Sequence, residues 1–244
     1  MDLKLKDKVA LVTGAGSQIG YGRAIALELA EEGCHIACAD INIAGAEQTC
    51  AQVRGKGVKA IAVRMDVTSR PEVEEAVKRV VDTFGRIDIL VNNAGASSRV
   101  RPFLEMTEED WEYDIGINLK GQMRVARVVL PYMIEKRYGR IINVSGGQGL
   151  PNISVYGAAK AGIEKFTVSL AKEVASEGVI VNAIAPGHGR TGLVYSEPEE
   201  SLEEDSRNSL LKRLCMPEDV APVVAFMASD RCSYMVGKVV PMGA

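Results

Sequence analysis

Tyr156 and Lys160 lie four residues apart in YGAAKAG, a spacing that puts both side chains on one face of a helix. The pair suits proton transfer to or from a reacting oxygen. Adding hydride to a ketone leaves alkoxide character on oxygen, which a positioned acid protonates, and in the reverse direction the same group takes the proton. A free tyrosine has a pKa of about 10, so acting as a base near pH 7 needs roughly 3 units of depression, about 4 kcal/mol. A neighbouring ammonium together with a second positive charge can supply that. Taken alone, a Tyr-x3-Lys pair is an ordinary solvated helix face, so its meaning depends on what surrounds it.

A glycine-rich turn supplies the context. The segment TGAGSQIGYGRA crowds Gly14, Gly16, Gly20 and Gly22 between an apolar strand pattern and a helical one. Glycines there let the backbone approach a pyrophosphate, and the helix N-terminus adds N–H groups and a positive dipole. The second strand pattern ends at Asp40, about twenty residues after the turn, where a carboxylate can bond both ribose hydroxyls of an adenosine and repel a 2′-phosphate. No Arg or Lys stands in the loop after Gly14 or directly after Asp40. The expected cofactor is therefore NAD, not NADP, and the positive nicotinamide ring is the second charge available to Tyr156.

The elements that must position these residues alternate. Strand patterns occur at 9–13, 35–39, 60–64, 87–91, 140–144, 179–183 and 238–240, most of them nearly continuous apolar runs of the kind buried on both faces. Helical patterns occupy 22–32, 44–54, 71–84, about 107–136 with a bend expected near Pro131, 154–177 and 217–229. This alternation predicts an α/β fold, a doubly wound parallel sheet with helices on both faces, in a single domain over residues 1–244. The acidic stretch 192–209, GLVYSEPEESLEEDSRNS, is interrupted by Pro198 and reads as a lid-like surface segment.

The net charge of −3 and the absence of a basic block give no reason to expect nucleic acid or anionic membrane as a partner. No apolar run has the length of a membrane span and no signal-peptide core is visible, so a cytoplasmic location is the expectation. Five cysteines without CxxC spacing read as free thiols, and two histidines, His35 and His188, are too few for a histidine-based metal site; no metal is expected.

Over nearly its whole length the chain resembles the short-chain dehydrogenase/reductase family. The likeness rests on TGAGSQIGYGRA, Asp66-Val67, NNAG at 92–95, Asn118 in INLKG, YGAAK at 156–160, NAIAPGHGRT at 182–191 and RLCMPEDVAPVVAFMASD at 213–230. It implies a Rossmann-type domain of seven parallel strands, commonly a homotetramer, acting on a small alcohol or ketone. It further implies Tyr156 as acid/base, Lys160 as its electrostatic support and a holder of the nicotinamide ribose, and Asn118 as the holder of a water that links Lys160 to solvent. Asp66 and Val67 would flank the adenine, and Asn92 would lie along the cofactor with Gly95 leaving it room. Pro186 and Gly187 would turn the chain under the nicotinamide, and Thr191 would bond its carboxamide. His188 either contacts the cofactor or substrate or is an incidental loop residue.

Two departures from the family pattern stand out. The usual Gly-x3-Gly-x-Gly spacing is met either by Gly14, Gln18 and Gly20, with Gln18 in place of a glycine, or by Gly14, Gly20 and Gly22 with two residues inserted; the second keeps the helix in register. In both, Ser17, Gln18 and Ile19 line the phosphates. The family's catalytic serine is the second departure. In INVSGGQGLPNISVY, Ser145 is eleven residues before Tyr156, and alignment on the strand and Gly149 puts Gly146 at the serine's place. Either Ser145 reaches the substrate oxygen from a shortened loop, or Gln148, a backbone N–H or water substitutes; Ser154 is a weaker candidate.

Overall fold

The computed structural model describes residues 1–98, 100–146, 149–187, 189 and 199–243. Seven parallel strands form one sheet in the order β3-β2-β1-β4-β5-β6-β7. They are β1 (Val9–Thr13), β2 (His35–Asp40), β3 (Ala60–Arg64), β4 (Ile89–Asn92), β5 (Gly139–Val144), β6 (Val179–Pro186) and β7 (Val239–Met242). The strand order reverses between β1 and β4, which opens a crevice at their carboxyl ends, the usual ligand site of such sheets.

Every residue of β1, β4 and β5 is buried, as their unbroken apolar runs predict. Alternate residues serve opposite faces. Ala10 and Val12 pack with α1 (Tyr21–Glu31), α2 (Ile43–Arg54) and α8 (Pro217–Ala228), while Val9 and Leu11 pack with α3 (Arg70–Phe84), α5 (Gln122–Glu135) and α6 (Ser154–Val174). α3 shows how local sequence sets the boundaries. The Ser69 side chain accepts from the Glu72 N–H, a proline occupies the first turn, and Gly85 closes the helix at φ +74°.

The long helix expected over 107–136 is interrupted. α4 (Glu108–Ile115), begun by a Thr107–Asp110 capping box, passes into a π-helical turn at Gly116–Gly121 before α5. Pro131 lies within the continuous helix α5, and the interruption falls instead at this π turn, which carries Asn118. Within the acidic segment, α7 (Glu199–Asn208) is helical, and 192–198 lies outside the described residues. Among the described residues no helix is long and apolar enough to cross a membrane. All five cysteines are free.

Candidate active site

At the β1 end, Gly14 has φ +69°, and a Cβ on Gly22 would lie 2.2 Å from the Gly14 carbonyl oxygen. α1 therefore touches the turn through bare backbone, which supports the reading that counts Gly14, Gly20 and Gly22 together. The Asp40 carboxylate accepts from the Gly16 N–H at 2.7 Å and from the Asn42 N–H at 2.8 Å, fixing it at the tip of β2. Arg64, paired with Asp40 across the β2–β3 register, is bound to Glu72 instead. Ser17 and Ile19 are exposed on the turn. The Gln18 amide donates to the Gly45 carbonyl at 3.0 Å and lies 3.3 Å from Thr49 Oγ1, so its side chain braces α2.

A cavity of about 580 Å³ runs along the carboxyl ends of the strands, bordered by Gly14, Asp40, Asp66, Val67, Ala94 and Gly95. Asp66 Oδ1 accepts from the Thr68 N–H and hydroxyl at 2.8 and 2.7 Å, and the Val67 carbonyl accepts from Arg124. The dimensions fit part of a dinucleotide. So does the chemistry: a glycine turn at a helix start, a fixed carboxylate, and at Gly95 a bare backbone. A Cβ on Gly95 would lie 2.9 Å from Asn118 Oδ1 and 3.4 Å from Lys160 Nζ.

The Asn92 side chain is fully buried, and its amide donates to the Gln122 carbonyl and to Asn143 Oδ1. The residue that shapes the crevice is Asn93, whose amide donates to the Thr13 and Gly14 carbonyls at 2.9 and 3.2 Å. The Thr13 hydroxyl accepts from the N–H groups of Asn93 and Ala94, both at 3.0 Å. Strand alternation is the signal that separates the two asparagines: Asn92 ends β4 facing the interior, and Asn93 is free of the ladder.

α6 carries Tyr156 and Lys160. Lys160 is buried, its Nζ donates to the Val144 carbonyl at 3.0 Å, and that nitrogen stands 5.5 Å from the centre of the Tyr156 ring. Burial pulls the Lys160 ammonium down to about 8. Burial, and after it the negative charge of Asp114, pushes the Tyr156 hydroxyl up to about 12. In the protein alone desolvation outweighs the lysine, so the depression needed for base chemistry is not built in by Lys160. Asn118, in the π turn, donates to the Ala96 and Asp114 carbonyls at 2.6 and 2.9 Å and accepts from the Ala96 N–H at 3.3 Å.

The Ser145 hydroxyl is buried within 3.0 Å of the Lys160 carbonyl and 3.1 Å of Glu164 Oε1. Gly146 has φ +107°, and a Cβ there would lie 2.7 Å from the Pro186 carbonyl, so this backbone rejects any side chain. Ser154 faces Met106 Sδ at 3.9 Å. Pro186 ends β6, and the Gly187 N–H donates to the Met242 carbonyl at 2.7 Å. Gln148, His188 and Thr191 lie outside the described residues.

Two residues have no counterpart in the sequence reading. Tyr21, between two glycines of the turn, is half-buried beside Cys215. Asp114 is a buried carboxylate on α4 that accepts from the Ser98 N–H at 2.7 Å. The glycines at 20 and 22 hide the first inside a motif, and the acidic helix start hides the second among surface charges.

The family model described as short chain dehydrogenase matches residues 8–201. The 3-oxoacyl-(acyl-carrier-protein) reductase FabG of Thermotoga maritima is 40% identical over 241 residues, covering 98% of this chain and 97% of that protein. Oxidoreductase UcpA of Salmonella typhimurium is 41% identical over 246 residues, covering 96% and 92%. Among solved structures, levodione reductase superposes with a TM-score of 0.93 at 33% identity, over 98% of this chain and 96% of the other. NAD+-bound xylitol dehydrogenase does so with 0.89 at 35% identity, over 98% and 99%. With this sheet order, this glycine turn and the Tyr156–Lys160 pair beside Asn118, the chain belongs to the short-chain dehydrogenase family.

Proposed function

We propose that this protein is an NAD(H)-dependent oxidoreductase acting on a secondary alcohol or its ketone. The observation that carries the reading is that Asn118 and Lys160 meet at the bare backbone of Gly95, with the Tyr156 ring 5.5 Å from Lys160 Nζ, beside a cavity that Gly95 and Asp40 both border. NAD supplies or accepts the hydride. Asp40, held by two backbone N–H groups, takes the adenosine ribose hydroxyls, and the capture of Arg64 by Glu72 leaves that cation no part in binding a 2′-phosphate. Ser17, Ile19 and Gly20 border the phosphates, Asp66 and Val67 the adenine, and Pro186, Gly187 and Thr191 the nicotinamide. Tyr156 gives its proton to the substrate oxygen on reduction and takes it back on oxidation. Lys160 stabilises the phenolate and holds ribose hydroxyls, and Asn118 orders the water by which the proton reaches solvent.

The similar proteins include a 3-oxoacyl-(acyl-carrier-protein) reductase and a xylitol dehydrogenase, which supports a carbonyl/alcohol pair as the chemistry. A cytoplasmic homotetramer belongs to the same proposal. The decisive experiment mixes the purified protein with NAD and a panel of secondary alcohols and polyols, and with NADH and ketones and 3-oxoacyl thioesters, while following nicotinamide absorbance. The expected result is turnover with NAD(H) in preference to NADP(H); tighter binding of NADPH than NADH overturns the role given to Asp40.

A second reading, an NAD-binding protein of the same fold with weak or lost catalysis, is favoured by Gly146 and by the inward-turned Ser145. Losing one hydrogen-bond donor to a developing oxyanion costs on the order of 10²–10³ in rate. Binding of NADH without turnover of any substrate selects this reading.

A further inference from the structure

Asp114 does nothing in the proton path above, yet it sits in its wall. It is 1% exposed. Its Oδ1 accepts from the Ser98 N–H at 2.7 Å and its Oδ2 lies 3.2 Å from the Ser98 hydroxyl. Among the described residues it has no cationic partner; Arg101, in the same connection, pairs with Asp110 at 3.4 Å. A buried carboxylate without a cation is costly, and an apolar side chain of similar size is the more stable choice for a helix interior. Its place explains it. One helical turn later Asn118 donates to the Asp114 carbonyl and grips Ala96 through both its N–H and its carbonyl. The two side chains therefore hold residues 96 and 98, the segment that continues from Gly95, which itself borders Lys160 Nζ.

We propose that Asp114 is a positioning residue of the active site, which through Ser98 clamps against α4 the segment after β4 that continues from Gly95, the residue bordering Lys160 Nζ. This rests on the hydride-transfer reading and deepens it, and the charge of Asp114 acts in the same sense as burial to keep Tyr156 protonated. Asp114, from α4, is the charged group that acts on the Tyr156 hydroxyl, while Lys160 Nζ from its own helix stands over the ring and Tyr156 in turn acts on Tyr21 of α1. The groups acting on Asp114 are Ser98 and, along its own helix, Asp110. Burial raises the carboxyl of Asp114, and the Ser98 donors oppose that.

Two substitutions separate the clamp from the charge. Asp114→Asn keeps an oxygen to accept from the Ser98 N–H and removes the charge. Asp114→Val removes both. A phenolate is repelled by a neighbouring carboxylate, so removing the charge favours ionisation of Tyr156. In Asp114→Asn the rise of kcat with pH for alcohol oxidation is expected to move to lower pH, by on the order of one unit, with KM close to that of the parent. In Asp114→Val the KM for the carbonyl substrate is expected to rise about tenfold, the loss of one charge-assisted hydrogen bond, and the Ser98 amide to exchange its hydrogen faster. A merely structural Asp114 lowers stability in both variants and leaves the pH profile where it was. An unmoved profile in Asp114→Asn, or unchanged KM and Ser98 exchange in Asp114→Val, overturns the proposal. If Asp114→Val does not fold, Asp114→Asn and Ser98→Ala carry the decision, through the profile and through KM. A parent protein that binds NADH and turns over nothing sinks the hydride-transfer reading instead, while Ser98 exchange still tests the clamp.

Discussion

Lys160 shows what a single buried charge does to this molecule. It is 3% exposed, its ammonium has one backbone acceptor, and burial brings it from 10.5 to about 8. An unfolded lysine keeps its proton to about 10.4. Between the two values the unfolded chain binds more protons, so the parent gains stability as pH rises through that window, and below the folded value the full cost of the charge is present. Lys160→Met is therefore expected to be more stable than the parent at pH 7, by about 1–3 kcal/mol after the lost bond to Val144, and to lose turnover. Urea unfolding at pH 7 and pH 10 checks the sign, because the advantage must shrink at the higher pH. An equal advantage at both would show that desolvation of this ammonium is not the cause. The shared face of the pair was legible from its spacing, and its chemistry only from the glycine turn and the strand–helix alternation around it. The direction of the Tyr156 shift was not, because it depends on burial and on Asp114, a residue whose neighbours in sequence give no sign that it faces inward.

The connection between β5 and α6 is where the family pattern and this chain part. The seven strands were legible because the strands of a parallel sheet are largely apolar, and α3 because its start and stop carry caps, whereas the break between α4 and α5 and the helix α7 in the acidic segment were not. Nor was side-chain orientation at strand ends. Asn92 and Asn93 offer the same chemistry, and Ser145 the same hydroxyl, whichever way the backbone turns them. Gly146 decides the matter for its own position, since its φ of +107° and the Pro186 carbonyl leave no room for a Cβ. Gly146→Ala is expected to cost about 1–3 kcal/mol from backbone strain, with the contact adding to it. Gly149→Ala is the matched control, with φ +74° and nothing within 4 Å of its Cβ, so it bears the strain alone. Melting should fall further for Gly146→Ala than for Gly149→Ala. The same geometry means that Gly146→Ser restores no catalytic hydroxyl without moving β6.

At the scale of the whole molecule the crevice joins the two halves of the sheet. β1 and β4 meet at the reversal of strand order, Asn93 and Thr13 tie their ends together, and Asp40 stands one strand further out. A ligand that lies across these ends binds only when both halves are in place, so it stabilises the fold as a unit. At a concentration 100 times its Kd, NAD is expected to add about 2.7 kcal/mol. For a domain of this size each kcal/mol moves the melting temperature by about 2–4 °C, which makes the expected rise roughly 5–10 °C. In the proposed NAD mode, Asp40→Ala takes away the carboxylate that would bond the ribose hydroxyls and repel a 2′-phosphate. It should shrink the NAD-dependent rise and narrow the gap between NAD and NADP, while the protein without ligand melts somewhat lower because the Gly16 and Asn42 N–H groups lose their acceptor. Melting curves of both proteins with each dinucleotide separate these effects. An undiminished rise with NAD in Asp40→Ala would place the adenosine elsewhere than the tip of β2.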